Sequence, residues 1–138
     1  MTDLLELARH LTETAEARAH ALGITVATSV VDAGGNLVAF ARMTGTQLAS
    51  TAISQGKAYS AVAFKRPSQD MYAVSQPGCT GYALQDIDRR FVFAGGGMPI
   101  LVDGELIGGI GVSGGSAEQD QDCAETALRM LKLSTDLK

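Results

Sequence analysis

The first stretch of the chain repeats its apolar residues every three or four positions. This spacing is typical of an amphipathic helix, and a glycine placed directly after the last apolar residue is typical of a helix C-terminus. We therefore predict a first helix over residues 3–22, ended by Gly23. The residues of the stripe are Leu4, Leu7, Ala8, Leu11, Ala15, Ala19 and Leu22.

Two runs rich in β-branched residues come next and are joined by a short polar turn. ITVATSVV covers residues 24–31, NLVAFARM covers residues 36–43, and DAGGN forms the connection. Strands joined by a short turn that contains glycine pair in an antiparallel hairpin. Small and apolar residues then follow a helical period over 46–64, and Pro67 predicts a break before a shorter helix at 68–74.

The second half of the chain contains three further short apolar runs. RFVF, MPILV and ELIGGIGVS are predicted as strands, and Asp103-Gly104 between the last two is a strong hairpin signal. Ser116 and Gln119 fit a capping box, so a final helix is expected to begin there. The whole pattern predicts one domain over residues 1–138, of mixed α/β (α+β) class, with five strands.

Composition and charge narrow the choice of partner. Apolar residues make up 46% of the 138 residues but aromatic ones only 5%, which predicts a core of small aliphatic side chains. The net charge of -4 offers no basic surface, so nucleic acid and anionic membranes are excluded as expected partners. No continuous apolar leader is visible near the N-terminus, which predicts a cytoplasmic protein.

Cys79 and Cys123 lack C-x-x-C spacing and are expected to be free thiols, Cys123 in the core.

Glycine is concentrated in one segment, where nine of the sixteen glycines lie between Phe93 and Ser116. Gly109, Gly111 and Gly114 form a G-x-G-x-x-G pattern, which can signal dinucleotide binding. That site needs a parallel sheet, however, and the strand before these glycines arises from a tight hairpin. We therefore expect Gly108, Gly109 and Gly111 to let a helix, a second subunit or a flat ligand approach the strand closely.

Three motifs in this order resemble the GlcG/HbpS family of small haem-associated proteins, which includes the C-terminal domain of PduO. They are SVVDAGGNLVAFARM, GKAYSAVAF and GGGMPILVDGELIGGIGVSGGSAEQDQDCA. The resemblance implies a profilin-like or PAS-like fold, with a five-stranded antiparallel sheet flanked by helices. It also implies homo-oligomers from dimer to octamer, and haem or tetrapyrrole binding with haem degradation in some members.

Two histidines are candidate haem ligands. His10 and His20 lie on the predicted first helix, about 80° apart around its axis, so they cannot form an i, i+4 metal pair. His20 is the preferred metal ligand because it lies near the end of the helix. Each could instead be a surface or interface histidine.

Other candidate ligand-binding residues are cationic or glycine-rich. Lys57 and Arg42 could neutralise a propionate or another carboxylate, or could be ordinary exposed charges. Gly95, Gly96 and Gly97, followed by Pro99, are expected to form an exposed loop whose amides approach a ligand. On that expectation, Gly96→Ala should weaken binding without harming the fold.

Polar residues at the predicted start of the last helix form another candidate site. Ser113, Ser116 and Asp120 could bind an anion through nearby amides, or could cap the helix.

Two classes of function therefore remain open. The first is a cytoplasmic protein that binds haem or a similar flat organic ligand. The alternative is a cofactor-independent enzyme for a small carboxylate or carbonyl metabolite, with Lys57 or Arg42 giving electrostatic stabilisation; a purely structural oligomer is a third possibility.

Overall fold

The computed structural model describes residues 2–136 of the chain. A short 3-10 turn at Leu84–Asp86 lies between its third helix and third strand. None of the helices in the described residues is long and apolar enough to cross a membrane. The elements are α1 Leu4–Leu22, β1 Ala27–Asp32, β2 Leu37–Arg42, α2 Ala49–Phe64, α3 Asp70–Val74, β3 Gly97–Val102, β4 Glu105–Ser113 and α4 Ala117–Asp136.

The four strands form one antiparallel sheet in the order β2-β1-β4-β3. The mixed α+β class and both predicted hairpins are confirmed. The prediction of five strands is wrong, because RFVF is not a strand. The amide of Val92 in this segment donates to Ser60 Oγ of α2 at 2.8 Å, and the rings of Phe91 and Phe93 pack on Phe64. In this segment, contacts with α2 replace the strand pairing that the sequence predicted. The profilin-like classification of the fold stays a prediction.

Helices cover both faces of this sheet. Helices α1 and α4 lie on one face, over a core that includes Leu11, Ile110, Val112 and Cys123. Helix α2 lies on the other face, against β4, β1 and β3, and barely touches β2. One face of the sheet near β2 is therefore left open beside α2.

The glycines of β4 are explained by the approach of α2. A Cβ atom at Gly109 would lie 2.6 Å from the carbonyl oxygen of Ala58, and one at Gly111 would overlap the carbonyl oxygen of Ser54. The expected close packing against a helix is confirmed. In an antiparallel sheet these glycines do not form a dinucleotide fingerprint.

Local chain signals also act as the sequence predicts. Gly23 ends α1 with φ 74, and Asp103 and Gly104 turn the second hairpin with φ values of 51 and 80. The amide of Ser116 donates to Gln119 Oε1 at 2.9 Å, and the amide of Gln119 donates to Ser116 Oγ at 3.2 Å. The capping box that begins α4 is thereby confirmed.

Candidate functional site

A groove of about 710 Å³ opens where α2 leaves the β2 side of the sheet uncovered. Its walls are mainly aliphatic and include Leu48, which is 80% exposed, and Leu37, which is 50% exposed. Exposed apolar side chains around a concavity are typical of a ligand or partner site. We call this the α2 groove; its lining is Val31, Gly35, Leu37, Leu48, Ala49, Thr51, Ala52, Ile53, Gln55, Gly56, Tyr59, Arg89, Arg90 and Val92.

Two arginines with different surroundings lie at the rim of the α2 groove. Arg90 forms two side-chain hydrogen bonds to Asp88, at 3.0 and 2.7 Å, and its guanidinium lies 3.9 Å from the centre of the Tyr59 ring. These bonds hold the pKa of Asp88 well below its usual value. Arg89 is exposed and has no hydrogen bond or ion pair among the described residues. Its charge is therefore available to an anionic ligand.

Tyr59 joins this rim to the wall of the groove. Its hydroxyl donates to Asp88 Oδ2 at 3.0 Å, and its ring stacks on Phe91 with centroids 5.8 Å apart. Burial and the hydrogen bond to Asp88 raise the pKa of Tyr59. The side chain is fixed as a neutral phenol.

The structure brings together two of the predicted site residues, Lys57 and Asp120. Lys57 Nζ donates to Asp120 Oδ2 at 3.0 Å and to the carbonyl oxygen of Val112 at 2.9 Å. Both side chains are 4% exposed, and neither lines the α2 groove. Asp120 also accepts from the amides of Gly114 at 3.4 Å and Gly115 at 2.8 Å. The pair joins α2 to the beginning of α4.

Burial dominates the titration of this pair. It lowers the pKa of Lys57 and raises that of Asp120, while the attraction between the two charges opposes both shifts. Ser113 lies nearby and its hydroxyl is 3.2 Å from that of Ser50. The predicted polar cluster is thus bonded to protein groups, and contact with a ligand stays a prediction.

The triple glycine Gly95–Gly97, whose last residue begins β3, is buried, so the expectation of an exposed loop is wrong. The amide of Gly96 donates to Gln121 Oε1 at 2.8 Å and that of Gly97 to Ser68 Oγ at 2.9 Å. A Cβ atom at Gly95 would lie 2.6 Å from the carbonyl oxygen of Ala117. Close packing between segments explains these glycines. Pro99 lies half-buried in β3, an edge strand, where a missing amide is tolerated.

The remaining candidates lie away from the α2 groove. Arg42 is exposed and donates to the carbonyl oxygen of Thr46 at 2.8 Å. His20 is exposed in the last turn of α1. His10 lines a second groove, of about 560 Å³, between α1 and α4, with Met130 nearby and the carboxylates of Asp3 and Glu6 in its lining. The structure does not bring these residues together with Lys57.

Sequence reasoning missed the residues of the α2 groove. Leu48 and Tyr59 are far from Arg89 in the chain, so no local sequence pattern links the three residues. The apolar Leu48, directly before α2, was the one sequence signal that pointed to the groove.

Cys79 is exposed and Cys123 is buried, both as free thiols, and burial raises the pKa of Cys123 to about 11. The predicted core position of Cys123 is confirmed.

The protein is an α+β domain in which helices cover both faces of one antiparallel sheet. An apolar groove lies open beside α2. The chain belongs to the HbpS-like family, described as haem-degrading proteins, whose family model matches residues 4–129. The resemblance seen in the sequence motifs is therefore confirmed.

Individual relatives agree with this assignment. A 15.0 kDa protein from the dhaT-dhaS intergenic region of Citrobacter freundii is 40% identical, over 92% of this chain and 90% of that protein. The corrinoid adenosyltransferase PduO of Salmonella typhimurium is 40% identical over 91% of this chain, which spans only 38% of PduO. A crystal structure of a PduOC complex with haem has a TM-score of 0.88 and 38% identity, and the match covers 94% of this chain and 93% of that one.

Proposed function

We propose that this protein binds a flat, largely apolar organic ligand that carries carboxylates, with haem the leading candidate, in the α2 groove. The observation that carries the proposal is an aliphatic groove with an uncommitted arginine, Arg89, at its rim. A structurally similar domain has been crystallised with haem, and the family is described as haem-degrading. Both facts support a ligand of this class.

The shape and chemistry of the groove suit such a ligand. Its volume, about 710 Å³, lies within the usual range for sites that enclose a small organic molecule. The side chains of Leu37, Leu48 and Ile53 would cover the apolar ring faces, because burial of aliphatic surface favours association. Arg89 would pair with a ligand carboxylate by charge-assisted hydrogen bonds.

We expect added hemin to give a saturable Soret shift, and Arg89→Glu to weaken hemin binding by about tenfold, since it replaces an attraction by a repulsion. Arg9→Glu is the matched control, because Arg9 is exposed on α1, away from the groove, and the net charge changes equally. Absorbance titration at fixed ionic strength measures both. An unchanged wild-type spectrum, or equal losses in the two variants, would contradict the proposal.

The enzyme alternative has less support from the geometry. It needs Lys57 or Arg42 to face a substrate, together with the amides of the Gly95–Gly97 loop as an oxyanion site. Lys57 is buried in its ion pair, and the amides of Gly96 and Gly97 are bonded to Gln121 and Ser68. The binding function therefore remains the proposal.

We also propose a homo-oligomer, between dimer and octamer. Within residues 2–136, β2 and β3 are the edge strands of the sheet and pair with one neighbour each, and β2 exposes the apolar side chains of Leu37 and Phe40. Edges of this kind favour association unless they are covered. Light scattering at micromolar concentration should give a mass of at least two chains of 14.3 kDa each. A stable monomer under those conditions would rule the oligomer out.

A further inference from the structure

The residues on either side of Arg89 are both fixed to α2 by one side chain, that of Tyr59. The Tyr59 hydroxyl donates to Asp88 Oδ2 at 3.0 Å, and the guanidinium of Arg90 lies 3.9 Å from the centre of the Tyr59 ring. Asp88 and Arg90 are also joined to each other, because the amide of Arg90 donates to Asp88 Oδ1 at 2.9 Å and its guanidinium donates to both carboxylate oxygens. We call Tyr59, Asp88 and Arg90 the rim cluster.

Arg89 lies between two members of the rim cluster but is not bonded to it. Its side chain is exposed and has no hydrogen bond or ion pair among the described residues. Because the backbone is held on both sides of Arg89, its neighbours fix the point from which the guanidinium leaves the chain. A cation held in this way binds an anion better than a mobile one, since the entropy of ordering the segment is lost before binding and not during it.

The rim cluster acts on a segment that has further contacts with α2 only after Arg89. The amide of Val92 donates to Ser60 Oγ at 2.8 Å. A Cβ atom at Gly56 would lie 2.8 Å from the carbonyl oxygen of Arg90, so the helix and the segment touch there. Both contacts follow Arg89 in the chain, whereas the rim cluster holds the residue that precedes it.

We infer that Tyr59 is a positioning residue of the α2 groove: its hydroxyl, through Asp88, holds Arg89 at the rim where it pairs with the anionic group of a ligand. This inference rests on the proposed function. The role needs no contact between the Tyr59 hydroxyl and the ligand, so the hydroxyl matters only for ligands that carry an anion. The contacts of the rim cluster lie within one protomer, so an oligomer contains one such cluster in each copy.

Two fluorescent probes with the same aromatic rings separate the position of Arg89 from the apolar part of the groove. Anilinonaphthalenesulfonate carries one sulfonate, and phenylnaphthylamine is the same ring system without it. Tyr59→Phe changes no charge and keeps the aromatic ring, so it tests the hydroxyl alone. We expect it to weaken binding of the sulfonate probe about threefold, because the binding-competent position of Arg89 is then less populated. Binding of the neutral probe should not change.

A second variant shows whether the hydroxyl acts through Arg89. In an Arg89→Met background, Tyr59→Phe should have no further effect on the sulfonate probe, because the group that the hydroxyl positions is absent. Tyr72→Phe is the matched control for loss of a tyrosine hydroxyl. Tyr72 is exposed on α3, and its hydroxyl has no hydrogen bond among the described residues, so this variant should bind both probes as the wild type does.

Hydrogen exchange gives a readout that does not depend on any ligand. The amides of Arg90 and Phe91 both donate to Asp88, at 2.9 and 3.1 Å. Because Tyr59→Phe releases Asp88 from α2, both amides should exchange faster in this variant than in the wild type, and at the wild-type rate in Tyr72→Phe.

The inference is overturned if these amides exchange at the wild-type rate in Tyr59→Phe, if both probes weaken equally, or if the loss persists in the Arg89→Met background. If Arg89→Met weakens the sulfonate probe and Tyr59→Phe does not, the proposed function stands and only the inference fails. If the wild type binds neither probe, or if Arg89→Met has no effect on the sulfonate probe, both fail.

Discussion

Lys57→Met should lower the free energy of unfolding by about 3–5 kcal/mol, the usual cost of removing one partner from a buried ion pair. The variant leaves the Asp120 carboxylate 4% exposed with no cation beside it. The amides of Gly114 and Gly115 still donate to Asp120, but two amides do not replace a full charge. The carbonyl oxygen of Val112 also loses its lysine donor.

Urea unfolding at neutral pH measures this loss, and a second variant separates charge from packing. Lys57→Met combined with Asp120→Asn removes both charges, so it should regain part of the lost stability. Arg18→Met is the control because Arg18 pairs with Asp122 near the surface, where both side chains are more than a third exposed. Its effect should be much smaller. An unfolding midpoint for Lys57→Met equal to that of the wild type would show that the pair contributes nothing.

The parts of the fold set by neighbouring residues could be predicted from the sequence. Gly23, the Asp103-Gly104 turn and the Ser116–Gln119 capping box each act within a few residues, and each is found as expected. RFVF was misassigned because its alternation equally suits a segment whose aromatic rings pack on a helix. Only the position of α2 decides between a strand and that packing.

The site depends on contacts between distant residues, which periodicity does not reveal. Lys57 and Asp120 were each identified as candidates, but they are 63 positions apart and their pairing follows from the placement of α2 and α4. The α2 groove combines residues of the β1–β2 hairpin, of α2 and of the segment 89–92. It exists because α2 covers three strands and leaves the β2 side open.

The Gly95–Gly97 run gave the least reliable evidence for a site, because a ligand and a neighbouring segment require the same close approach. At Gly96, where φ is 128, a methyl group would overlap the carbonyl oxygen of Val112 and lie 3.0 Å from Lys57 Nζ. The expectation that Gly96→Ala would spare the fold is therefore wrong. The change should destabilise the protein through backbone strain and through the buried pair.

Gly111→Val is expected to destabilise the protein by about 3 kcal/mol or more, at or above the top of the usual range for overpacking. The atoms that the new side chain would meet are helix backbone: the carbonyl oxygen of Ser54, and the amide nitrogen of Ala58 at 2.6 Å. Backbone atoms cannot rotate aside as a side chain can, so α2 would have to move away from β4.

Gly104→Ala is the control, because Gly104 lies in a turn with φ 80 and open space around it, and only backbone strain of about 1 kcal/mol is expected there. Thermal unfolding followed by circular dichroism compares the two. Because α2 also forms one wall of the groove, Gly111→Val should weaken hemin binding in any folded fraction, whereas Gly104→Ala should not. Equal melting temperatures for the two variants would show that the contact between α2 and β4 is looser than the structure indicates.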